Sequence, residues 1–336
     1  MTRQTIPRSS QIVFWGLLFC AASAFARAED LVRVGGFTRE ALSYVADAKG
    51  FLKTEGIRME YVHVRSSAEM MRSLLSGSFD LIHTNADNVI AWAEGQGADP
   101  HPSDLIIFMG GRKGLALQLV AAPGIKGFDD LKGKQLAVDA LTTGYTPVLV
   151  EILKRHGLEL NRDYTIKALG GGPSRSEALI KGEAAAGFVA YDNELKKSGF
   201  TVLANSQDYL PEYAVSIGAT RREWANQHQD LLVRYIRAML RATNWLLDPK
   251  NKADAIATIA RFKEAEDTAG ALYEEALDPH VGLIPDGKVS MKGVETILHL
   301  RELMGQISPP LPPPDKYVDE RFYGLAILSL KPGSLR

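Results

Sequence analysis

Thr142, Thr143, Gly144 and Tyr145 stand just before an apolar stretch with helical spacing, with Pro147 in its first turn and Gly157 at its end. Thr146 suits the N-cap of that helix. Unpaired amides at a helix start, with the dipole behind them, favour negative charge. The threonine hydroxyls would add hydrogen bonds to sulfonate, carboxylate or phosphate oxygens. An ordinary cap that binds nothing is the competing reading. Thr84, Asn85 and Asp87 open another helix after the strand-like run 79–82, and Asp87 there also reads as a plain capping acid. Phe37 and Thr38 leave a strand candidate at 31–34 through the turn of Gly35 and Gly36. An aromatic ring at that point closes over a planar ligand or plugs the core. Gly110 and Gly111 offer a hinge or a close backbone approach. Tyr191 and Asp192 follow a strand at 188–190; Tyr191 suits a cleft wall, whereas Asp192 beside an anion makes sense only if the ligand also carries an amine. Arg39, Arg112 and Arg175 fall near the same edges. A forked guanidinium there would hold an oxyanion, although a solvated surface charge is the plainer reading of each.

Other chemistries find no support. Cys20 is the sole cysteine and lies in the leader described below, which removes disulfides, thiolate nucleophiles and cysteine metal sites from the exported chain. The seven histidines show no H-E-x-x-H or i, i+4 pairing. His63 and His83 fall on strands that could be neighbours, but core or edge placement explains them better than a metal. Residues 170–172 are three glycines without the following Gly-Lys-Ser/Thr of a phosphate loop. No nucleophile is paired with a base, and no metal or cofactor is expected.

These candidates sit on a regular alternation. Residues 31–88 read as strand, helix, strand, helix, strand and helix start. Gly56 and Gly77 close the first two helices, and Ser66 with Glu69 forms a capping box. In a parallel sheet every such turn opens at the carboxyl edge, where ligands dock. The run 105–109 is almost purely apolar, as in a strand buried on both faces. After a strand at 115–122 the rhythm restarts, with strands at 135–138, 164–168 and 188–190 and a helix from about 175 to 181. Helix, Gly182, strand and Asp192 then repeat the earlier order of helix, Gly77, strand and Asp87, which suggests two similar lobes. A returning strand is expected at 213–219, then helices at 231–247, 253–262, 268–277 and 293–304. The helix at 231–247 reads as a core helix with a solvated basic face. Residues 309–314 are a stiff, proline-rich connector before a last helix at 315–325.

Residues 1–28 read as a secretory signal: Arg3 and Arg8, an apolar run at 12–25 too short to span a bilayer, and small-x-small patterns ending at Ala28 or Ala26. Residues 17–20 are a poor lipoprotein box, with bulky Phe19 before Cys20, so a lipid anchor is not expected. Removing Arg3, Arg8 and Arg27 from the 39 basic and 40 acidic residues would leave a net charge of −4, which gives no electrostatic case for nucleic acid.

The chain resembles the exported solute-binding proteins of ABC importers for nitrate, taurine and alkanesulfonates, a group that includes proteins similar to thiamine-pyrimidine precursor binders. The likeness rests on Gly35 and Gly36 after the first strand; on Ala48, Gly50, Phe51, Leu52, Gly56 and Ile57; on Leu75, Gly77, Phe79, Asp80 and Leu81; and on Asp130, Leu131, Lys132, Gly133 and Lys134. The Cys-rich segment of the eukaryotic pyrimidine-synthesis relatives is missing. The resemblance implies an α/β, two-lobed periplasmic-binding-protein fold of type II, with two crossover segments and a helical C-terminal region. It also implies a monomer in the periplasm that binds a small organic anion (sulfonate, carboxylate or pyrimidine-like) and delivers it to an ABC permease in the inner membrane. The expected lobes are 29–111 with 211–336, and 112–210. A lyase or hydrolase using Asp87, Asp192 or a histidine, or a sensor for a membrane kinase, are the alternatives.

Overall fold

The computed structural model describes residue 1 and residues 28–141, 144–210 and 212–330; the signal and lipidation readings at 1–28, and Thr142 and Thr143, lie outside the described residues. Ten strands occur among them: β1 Asp30–Gly36, β2 Ile57–His63, β3 Leu81–Thr84, β4 Leu105–Met109, β5 Gln118–Ala121, β6 Lys134–Val138, β7 Tyr164–Ala168, β8 Ala186–Phe188, β9 Thr201–Asn205 and β10 Ile217–Arg221. They form two five-stranded sheets, ordered β2-β1-β3-β10-β4 and β7-β6-β8-β5-β9.

The two sheets have the same plan. In each, a first strand pairs in parallel with two others (β1 with β2 and β3; β6 with β7 and β8), and an antiparallel strand in the fourth position carries the edge strand. That antiparallel strand is in each case the first one the chain forms after a crossing. β5 follows β4 out of the first sheet, and β10 follows β9 out of the second. The chain therefore crosses twice, through residues 110–117 and 206–216. All five residues of β4 are buried, as an unbroken apolar strand requires.

The helix starts follow local rules, with one adjustment. Ser66 Oγ accepts from the Glu69 amide at 3.1 Å, but Glu69 Oε2 reaches past Ser66 to the Arg65 amide at 2.8 Å. The returning strand and the final helix start later than their sequence suggests. The returning strand begins at Ile217 because Ala214 and Val215 are committed elsewhere: the Ala214 carbonyl accepts from the Ala86 amide at 3.0 Å and that of Val215 from Arg112 at 2.9 Å. The final helix is Arg321–Ser329, because residues 317–319 bracket Ile107 of β4 with backbone hydrogen bonds of 2.8 and 2.9 Å.

Helix Gln229–Leu247 buries Leu232, Tyr235, Ile236, Met239 and Leu240 against the first sheet. Its arginines are not the solvated face expected. Arg237 and Arg241 both clasp the buried Glu55 carboxylate, and Arg234 holds Asp30 at 2.6 Å. This fixes the helix on the segment between the first helices and β2. Among the described residues no helix is long and apolar enough to cross a membrane.

Candidate functional site

A cavity of about 650 Å3 is walled by the carboxyl ends of strands from both sheets. From the first sheet come Phe37 and Thr38 after β1, residues 65–68 after β2, and His83, Thr84 and Asn85 at the end of β3. From the second come Asp139 and Ala140 after β6, residues 170–172 and Arg175 after β7, and Gly144 with Tyr145. Arg112 and Ser216, one from each crossing segment, complete it with Glu40 and Glu275. Helices Ser67–Leu75, Ala86–Ala93, Thr146–Arg155 and Gly172–Ile180 all begin at this wall. Their dipoles give the cavity a positive field independent of its side chains.

The two halves are joined at Gly144. Its amide donates to Asp87 Oδ2 at 2.8 Å, while Asp87 Oδ1 accepts from Arg301 Nη1 at 2.6 Å. Asp87 and Arg301 are both almost fully buried. Gly144 has φ +74°, and a Cβ there would come within 1.8 Å of Asp139 Oδ2, so only glycine fits this turn. The next residue, Tyr145, donates its amide to Asp139 Oδ1 at 3.1 Å, and its hydroxyl meets the Asn85 side chain from the first sheet. Tyr145, not Thr146, occupies the N-cap position; the Thr146 hydroxyl is bound to the Ala140 carbonyl.

The structure thus brings Phe37, Thr38, Thr84, Asn85, Gly144 and Tyr145 together on one wall system, and leaves four sequence candidates off it. Asp87 lies behind the wall, committed to Arg301 and Gly144. Gly111 packs where the crossing segments touch; a Cβ would lie 2.0 Å from the Ser216 carbonyl oxygen, and only its neighbour Arg112 reaches the cavity. Tyr191 turns its hydroxyl to the Phe200 carbonyl at 2.8 Å, and Asp192 caps helix Asn193–Lys197 by accepting from two amides at 3.0 Å. Both follow β8, the shortest strand of its sheet. The exit from β8 is closed to a ligand by Arg175, whose Nε donates to the Phe188 carbonyl at 2.9 Å.

The arginines divide. Arg112 and Arg175 line the cavity, each 14% exposed or less, so neither is the solvated charge that was the plainer reading. Arg39 instead pairs with Asp47 and lies over the Tyr44 and Phe262 rings at 4.9 and 4.7 Å. Glu40 and Asp139 were not singled out from sequence. Asp139 directly follows a strand that the pattern identifies, and that position at a carboxyl edge is the signal that would have found it. Burial raises the carboxyl pKa of both acids; for Asp139 the Tyr145 amide and Arg175 pull the other way.

His83 is not on a strand adjacent to His63, because β1 runs between β2 and β3. Its Nε2 pairs with the Tyr235 hydroxyl at 2.9 Å, and burial lowers its pKa from 6.5 to about 4. The unfolded chain therefore binds this proton first as pH falls. Stability from His83 is complete above pH 6.5 and declines towards pH 4, by at most about 3 kcal/mol. His83→Gln should flatten that part of the urea-midpoint profile between pH 7 and 4.5. An unchanged slope would contradict the assignment.

Two sheets of one plan, joined by two crossings with a cavity between their strand ends, define a two-lobed α/β architecture with a cleft. A family model described as NMT1/THI5 like matches residues 38–253, and the chain belongs to that family. A search of the curated proteins gave no match. Among solved structures, the periplasmic nitrate-binding protein NrtA from Synechocystis PCC 6803 is similar with a TM-score of 0.75 at 13% identity, over 90% of this chain and 89% of that one. The alkanesulfonate-binding protein SsuA from Xanthomonas axonopodis pv. citri, bound to MOPS, gives 0.67 at 18% identity, over 87% and 99%. A Candida albicans gene product with the generic periplasmic binding protein fold gives 0.65 at 15%, over 87% and 96%. The chain has this two-lobed fold, of type II; identities this low carry the architecture and not the ligand.

Proposed function

We propose that this protein is an exported receptor that closes around a small organic solute and delivers it to an ABC permease. The observation that carries the reading is the 650 Å3 cavity between the carboxyl edges of both sheets, with the two crossing segments at its side. Its volume lies within the usual range for small-molecule sites and far exceeds what a bare nitrate needs. The exposed Phe37 ring and Tyr145 supply apolar surface, and four helix starts supply amides. In this reading the lobes are residues 29–111 with 211–336, and 112–210. Hinge motion would run through the crossing segments. Membership of the NMT1/THI5-like family and neighbours named as sulfonate- and nitrate-binding proteins support it, as does the leader pattern at 1–28.

Thermal unfolding with a panel of sulfonates, nitrate, aromatic carboxylates and pyrimidines tests the proposal. A true ligand at one hundred times its Kd should stabilise by about 2.7 kcal/mol, with recovery of the solute unchanged after incubation. No stabilisation by any member would overturn the receptor reading, and turnover of the bound solute would replace it with an enzyme.

A further inference from the structure

The cavity wall carries Arg65, Arg112 and Arg175 against Glu40, Asp139 and Glu275, so its formal charges cancel. The pairing is uneven. Arg112 gives one nitrogen to Glu275 and its Nε to the Val281 carbonyl at 2.9 Å. Asp139 lies in the field of Arg175 and accepts from the Tyr145 amide. Glu40 is left over. Its carboxylate accepts from the Ser216 hydroxyl and makes no ion pair among the described residues. Arg112 also acts on Glu40 but is bonded to Glu275, so this corner has one cation for two carboxyl groups.

Taking the cavity as the solute site proposed above, we infer that Glu40 anchors a protonated amine, so that the ligand is an amine-bearing zwitterion whose acidic end faces the helix starts at Ser67 and Gly172. A simple organic anion near Glu40 would have only Arg112, shared with Glu275, to offset the repulsion. Burial, reinforced by Glu275 and only partly offset by Arg112 and Ser216, raises the Glu40 carboxyl pKa. This corner thus favours the neutral acid, and a bound ammonium would draw the carboxyl back to its ionised form.

Calorimetric titration of the purified protein with matched solutes tests the inference. Suitable pairs are taurine with ethanesulfonate, β-alanine with propionate, and 4-(aminomethyl)benzoate with 4-methylbenzoate. In at least one pair the amine-bearing member should bind tighter by about tenfold or more. Glu40→Gln should bring that ratio close to one while the thermal midpoint of the free protein stays near the wild-type value. Equal binding within every pair, tighter binding of the amine-free member, or a ratio that survives in a folded Glu40→Gln variant would overturn the inference and leave the receptor reading standing. Absence of binding by all six solutes, together with a blank result from the wider panel, would instead remove the receptor reading and this one with it. The matched pairs decide the question on the wild type even if the variant does not fold.

Discussion

Asp87→Ala should destabilise the protein by about 3–5 kcal/mol, the usual cost of removing one member of a buried ion pair. Asp87 and Arg301 are 1% and 0% exposed, 2.6 Å apart and 214 residues apart in sequence. Arg301 also donates to Gln96 Oε1 at 2.6 Å, so it is fixed in place and cannot swing to water. With Asp87 gone, its guanidinium keeps its burial and loses this buried carboxylate. The Gly144 amide loses its acceptor in the same step, and with it goes a direct hydrogen bond between the two halves of the molecule. Replacing both partners, as in Asp87→Leu with Arg301→Met, should cost less than Asp87→Ala alone, because no uncompensated charge remains. Urea unfolding of the three proteins measures this. A loss below about 1 kcal/mol for Asp87→Ala would mean that the pair is solvated in solution.

Gly144→Ala should cost more than Gly133→Ala, although both glycines have φ near +70° (+74° and +72°). The left-handed conformation alone penalises an alanine by about 1–2 kcal/mol. At Gly133 nothing lies within 4 Å of the added methyl, so that penalty is the whole effect. At Gly144 the methyl would sit 1.8 Å from Asp139 Oδ2. Either the carboxylate gives up its bond to the Tyr145 amide or the turn moves away from Asp87, for roughly 1–3 kcal/mol more. Both outcomes deform the cavity wall. Gly144→Ala should therefore also weaken the best solute from the thermal panel by about tenfold or more, while Gly133→Ala leaves its affinity unchanged. Similar losses from the two substitutions would show that the turn at Gly144 yields easily.

The cavity wall shows what residue-by-residue reading can place. Thr84, Asn85, Gly144 and Tyr145 were legible because a strand end followed by a helix start is a local pattern, and such turns in a parallel sheet share one edge. The same rule misplaced Tyr191 and Asp192. They satisfy the local pattern after β8, but Arg175 closes that exit by bonding the Phe188 carbonyl, a partner 13 residues away. Asp87 has the residue type and place of a ligand contact, and only the approach of Arg301 from the C-terminal helices makes it structural.

By itself the sequence determined the alternation of strands and helices, the glycine-terminated helices, the fully buried β4 and the order of the two halves. All of these depend on hydrophobic period and on backbone preferences of neighbouring residues. Tertiary structure alone decided that β10 sits between β3 and β4 and β5 between β8 and β9, that Arg112 and Arg175 face the cavity while Arg39 lies on aromatic rings, and that Glu40 makes no ion pair among the described residues. The physical reason is that charge compensation and burial depend on groups brought together from distant parts of the chain, and no local pattern encodes which of them will meet.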